Sequence, residues 1–139
     1  MEVRSLTYVL VSVGSGVLFG ILDGVINGNP LARRLNEVYK PIARTALNLP
    51  AGIALDLAYG FAMAGIYLLI WQSLPGATGL VKGLFFGLFA WFFRVVMSAA
   101  SQWMMFRVSA KTVLYGLATG LAEMLVLGVL YGLTLTWLA

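Results

Sequence analysis

Residues 80–101 read LVKGLFFGLFAWFFRVVMSAAS, and past Lys82 the stretch holds one ionisable residue, Arg94. At 1.5 Å rise per residue, a helix of this length is ~30 Å long, the thickness of the hydrocarbon core of a bilayer. Three more stretches of the same kind follow from the pattern of apolar residues: Leu6–Asn27, Ala51–Trp71 and Val113–Leu138. Each again carries a single ionisable residue well inside it, namely Asp23, Asp56 and Glu123. The sequence therefore predicts an all-α fold, an integral membrane four-helix bundle forming one polytopic domain over residues 1–139.

Composition agrees with that reading. Of the 139 residues 61% are hydrophobic and 10% charged, where soluble domains run about 25% charged. Mean hydropathy is +0.95. The four prolines, Pro30, Pro41, Pro50 and Pro75, all fall outside the apolar stretches. Leu74-Pro75-Gly76 is a turn signal between spans 2 and 3. Tyr8, Trp71, Trp103, Tyr115 and Trp137 lie near span ends, as an interfacial aromatic belt would.

The absent residue types exclude several functions. Without cysteine there is no disulfide, thiol chemistry or iron–sulfur cluster. Without histidine there is no imidazole ligand for haem, copper or most zinc sites, and no usual general base at neutral pH. No cofactor, metal site or catalytic residue is expected, and the chain is read as a non-enzyme. Two membrane aspartates bring intramembrane aspartyl proteases to mind, but Gly20-Ile-Leu-Asp23 does not match their Gly-x-Gly-Asp signature. In size and span number the chain resembles the small multidrug exporters. The glutamate those proteins carry early in span 1 has no counterpart here, where Tyr8, Ser12 and Ser15 stand, so membership is not claimed.

Sidedness follows from Lys and Arg. The connections between spans 1 and 2 and between spans 3 and 4 hold Arg33, Arg34, Lys40, Arg44, Arg107 and Lys111; the other side holds Arg4 and Lys82. The bias places the basic connections in the cytoplasm and both termini outside. It also assigns the net charge of +4 to the membrane surface rather than to nucleic acid. In Leu31–Ala46, apolar Leu31, Leu35, Val38, Ile42 and Ala46 recur at three- and four-residue steps. This predicts one amphipathic interfacial helix, kinked or split at Pro41, with Arg33, Arg34, Lys40 and Arg44 reaching lipid headgroups.

Glycine is placed with order. Gly16, Gly20, Gly24 and Gly28 step by four along span 1, and Gly52 and Gly60 flank Asp56 in span 2. Gly83 and Gly87 in span 3, and Gly116 and Gly120, then Gly128 and Gly132, in span 4 repeat the step. Small residues at this spacing let helix backbones approach closely, where van der Waals contact replaces the missing hydrophobic drive. Packing within the chain, or assembly into a homo-oligomer or as a small subunit of a membrane complex, is expected. The segments around Gly16 and Gly83, Gly52 and Gly116, and Tyr67 and Tyr131 also resemble one another, as two parallel helical hairpins would.

A charge in hydrocarbon costs at least ~2.5 kcal/mol, so Asp23, Asp56, Arg94 and Glu123 are expected to face the bundle interior as one buried cluster. By depth all four fall in the half nearest the basic connections, with Glu123 the favoured partner of Arg94. Three acids against one base leave an excess of acid, so one carboxyl is expected to hold a proton. Two functions follow: a non-catalytic protein assembling through glycine faces around a structural cluster, or a proton- or cation-coupled transporter or channel that uses it.

Overall fold

The computed structural model describes residues 2–43, 46 and 48–136. Helix α1 runs over Val3–Gly28. Its Leu6, Leu10, Val13, Val17, Ile21 and Val25 point outward, a stripe at three- and four-residue steps. Ser12, Ser15, Gly16 and Phe19 on the opposite face are buried. This is the reverse of a water-soluble helix, and it sets apolar side chains against the surroundings and small or polar ones inside.

One continuous amphipathic helix is not formed after α1. Instead α2 covers Pro30–Leu35 and a 3-10 helix covers Glu37–Ile42. Asn29 starts α2 by accepting the Ala32 N–H at 2.8 Å, with Pro30 in the first turn where no N–H is needed. Pro41 has no N–H to give, and its ring would clash with the carbonyl four residues back, so an α-helical turn cannot run into it. The chain winds in the tighter i→i+3 form there. The connection is also tied down from outside: Thr112 Oγ1 donates to the Leu35 carbonyl at 2.6 Å, and the Tyr39 hydroxyl donates to Gln102 Oε1 at 3.1 Å. Arg33, Arg34 and Lys40 are exposed, whereas Arg44, read above as a headgroup residue, lies outside the described residues.

Helix α3 spans Leu49–Ile70, capped by Asn48, and continues into a 3-10 turn at Trp71–Ser73. Lys82 Nζ closes that end by donating to the Trp71 and Leu74 carbonyls at 2.9 and 2.7 Å. Gly76 has φ +120°, a conformation open to glycine, and it turns the chain into α4 (Gly79–Trp91). The third long helix then passes through a π-helical segment, Phe92–Val96, into α5 (Met97–Met105). It runs four residues beyond the sequence-based end at Ser101. The last helix, α6, spans Ala110–Thr134; Trp137 and Leu138 lie outside the described residues.

The described residues are thus all-helical, without a strand, and four helices are long and apolar enough to cross a membrane. They pair as two hairpins, α1 on α3 and α4 on α6. The hairpins meet where α1 touches α6 and where Tyr67 and Tyr131, both fully buried, approach with ring centroids 6.1 Å apart. Between α3 and α4 close packing is missing, apart from the edge contact of Tyr67 with Phe86.

Candidate functional site

The glycines divide into three groups. Some sit at backbone crossings. A Cβ on Gly60 would strike the Ser12 carbonyl, and one on Gly16 would come within 2.8 Å of the Asp56 carbonyl. In the other hairpin Gly83 meets the Gly128 backbone, Gly79 meets Gly132, and Gly87 meets the Met124 carbonyl at 2.7 Å. Others make room for side chains: Gly20 for the Asp56 carboxylate, and Gly120 for Val95. Gly24, Gly52 and Gly116 have nothing within 4 Å in this chain. Sequence reading missed Gly79, which stands one four-residue step before Gly83 but just outside the span begun at Leu80.

The hairpin crossings bring the four charged residues into one neighbourhood. The carboxyl groups of Asp23 on α1 and Glu123 on α6 are neighbours, with Arg94 and Asp56 close enough to act on both electrostatically. Glu123 is 3% exposed, and its Oε1 has no hydrogen-bond partner among the described residues. The hydrogen bond of the arginine goes to a tyrosine and not to Glu123, the partner favoured from the sequence. Its Nε donates to the Tyr59 hydroxyl at 3.0 Å, and its guanidinium lies 4.6 Å from the Phe19 ring centroid and 5.1 Å from that of Tyr59. Those two rings are themselves stacked at 5.0 Å. Arg94 sits in the π-helical segment of the third span, and such segments occur frequently at functional sites.

Two openings meet at Arg94. A polar cavity of about 420 Å³ reaches it from the end bearing the basic connections, past Asn36, Gln102, Ser98 and Thr119. An apolar groove of about 670 Å³ runs from it between α3 and α4 toward Ser73 and Leu74.

Beyond Glu123, toward the opposite end, the seam between α1 and α6 turns apolar at Phe19, Met124 and Leu127, then polar again. Ser12 and Ser15 are fully buried, and the Tyr131 hydroxyl stands beside Ser15. Neither Ser12 Oγ nor the Tyr131 hydroxyl has a hydrogen-bond partner among the described residues. The Tyr67 hydroxyl then bonds Thr136 at 2.7 Å. Sequence reading did not assign Ser12, Ser15, Tyr67 or Tyr131 to a site. The available signal was their spacing: Ser12, Ser15, Phe19 and Asp23 share one face of α1, as Glu123, Leu127 and Tyr131 share one face of α6.

Comparison with protein-family models, with curated proteins and with solved structures yields no match for this chain.

Proposed function

We propose that this chain is a small multi-pass membrane protein that carries protons, alone or coupled to a small solute, along the seam between α1 and α6. Its basic connections and the short helices at Pro30–Leu35 and Glu37–Ile42 lie at the cytoplasmic headgroups, and its termini lie outside. The observation that carries this reading is a set of three buried polar atoms on α1 and α6 that have no hydrogen-bond partner among the described residues: Glu123 Oε1, the Tyr131 hydroxyl and Ser12 Oγ. Each such group costs about 1–3 kcal/mol, and structural networks satisfy their members. Proton carriers instead keep donors and acceptors free to change partners, and carboxyl chains inside spans mark such relays.

In this scheme protons enter from the polar cavity, with Arg94 and the Asp23–Glu123 carboxyl pair as the loading point. The apolar plug of Phe19, Met124 and Leu127 separates that point from Ser15, Tyr131 and Tyr67 on the far side. The plug lets the protein block free leakage. The test is purified protein in liposomes holding a pH-sensitive dye, with an imposed membrane potential. The wild type is expected to move protons, and Glu123→Gln and Asp23→Asn to lose that flux. Equal flux in all three, or none in the wild type, overturns the reading.

One observation favours self-association as a second role. Gly24, Gly28, Gly52 and Gly116 have nothing within 4 Å, so helix faces remain where a second copy's backbone can approach. A mass that stays monomeric in several detergents and in lipid nanodiscs excludes it.

A further inference from the structure

The groove between α3 and α4 occupies the place where a second helix–helix seam, matching that of α1 with α6, would close the bundle. Its walls are apolar, with Met63, Ile66, Ile70, Phe86 and Phe89 along them, and its inner end is a cation, Arg94. Only the Nε of Arg94 makes a hydrogen bond; Nη1 and Nη2 have no partner among the described residues. A guanidinium offers five N–H donors in a fork that fits a carboxylate or phosphate. An apolar slot ending in unused guanidinium donors has the chemistry of an amphiphile with an acidic head.

The dimensions narrow the class. From Tyr59 to Ser73 the groove follows ~21 Å of helix at 1.5 Å per residue, and its volume is about 670 Å³. That length matches one extended acyl chain of about sixteen carbons. The two free guanidinium nitrogens, on the groove side of the acid cluster, match one carboxylate in a forked pair. The geometry points to a binding site for a long-chain fatty acid between α3 and α4, its chain along Ile66, Ile70 and Phe89 and its carboxylate on Nη1 and Nη2 of Arg94. This site goes beyond proton carriage and stands whether or not the α1–α6 seam moves protons.

The test is native mass spectrometry of the full chain released from a neutral detergent, with palmitate and hexadecanol as probes. One palmitate per chain is expected to be retained. Hexadecanol, which has the same tail without the charge, is expected to bind the wild type about tenfold more weakly, the worth of one charge-assisted contact. Arg94→Gln should weaken palmitate by a similar factor. Ile66→Trp, at an outward-facing position on the groove wall, should abolish retention while Arg94 stays in place. Equal retention of palmitate and hexadecanol by the wild type overturns the proposal even if Arg94→Gln fails to fold. Unchanged palmitate binding in Ile66→Trp, or displacement of palmitate by a two-chain phospholipid, also overturns it.

Discussion

The carboxyl groups of Asp23 and Glu123 are neighbours across the contact of α1 with α6, one of the places where the two hairpins meet. Arg94 stands close enough for both to feel its charge, yet its nearest partners are the Tyr59 hydroxyl and two aromatic faces. The acids and the base are neighbours without being locked together. A cluster whose task was to fix helix register would gain most from direct, fully hydrogen-bonded pairing.

If the carboxyl pair is kept for function at the expense of stability, removing it should stabilise the protein. Glu123→Met replaces a buried acid that has an unpartnered oxygen with an apolar side chain of similar length. Thermal unfolding in detergent is expected to show a gain of about 1–3 kcal/mol, together with loss of proton flux. A clear loss of stability would assign Glu123 to the framework.

The glycine crossings predict opposite outcomes at two positions of α6. Gly128→Ala places a methyl group into the Gly83 carbonyl, and overpacking of this kind costs about 1–3 kcal/mol. Gly116→Ala meets open space and should be neutral or gain up to about 1 kcal/mol from the helix preference for alanine. Melting curves of the two variants decide the matter. Equal behaviour would mean that the hairpins do not cross at Gly83 and Gly128.

Much of this arrangement was legible in the sequence, because hydropathy and length report directly on spans. The four apolar stretches correspond to the four long helices, with ends shifted by a few residues. The connection at Leu31–Ala46 was harder. Apolar periodicity suggested one helix, but Pro41 and the tethers from Thr112 and Gln102 act against it, and tertiary hydrogen bonds are invisible to periodicity. The glycine step announced close packing without saying which glycine meets which. Gly24 and Gly20 look alike in sequence and differ because Asp56 faces only the latter. Charge alone favoured a carboxylate as the partner of Arg94 and gave no sign of Phe19 and Tyr59, whose rings lie against the guanidinium. The π-helical segment that carries Arg94 has no simple sequence signal.

The Tyr59 contact separates into two parts. Tyr59→Phe keeps the ring under the guanidinium and loses the 3.0 Å hydrogen bond, for an expected cost of about 1 kcal/mol. Tyr59→Leu loses the cation–π contact as well and should cost roughly 0.5–2 kcal/mol more. Unfolding measurements on both variants check this; equal costs would mean that the ring face contributes nothing to holding Arg94.

Orientation rests on the distribution of Lys and Arg. Single cysteines in place of Asn36 and Ser73 should react with membrane-impermeant reagents from opposite faces, Asn36→Cys from the cytoplasm and Ser73→Cys from outside. Labelling of Asn36→Cys from outside inverts the topology and with it the direction of the proposed path.

The most direct test of a proton site on the α1–α6 seam is infrared spectroscopy of the protein in lipid, following the carboxylic C=O stretch as pH is changed and as H₂O is exchanged for D₂O. A band that responds to both and disappears in Glu123→Gln is expected. A band that ignores bulk pH and deuterium, or one that persists unchanged in Glu123→Gln, would contradict it and leave the charges as part of the framework.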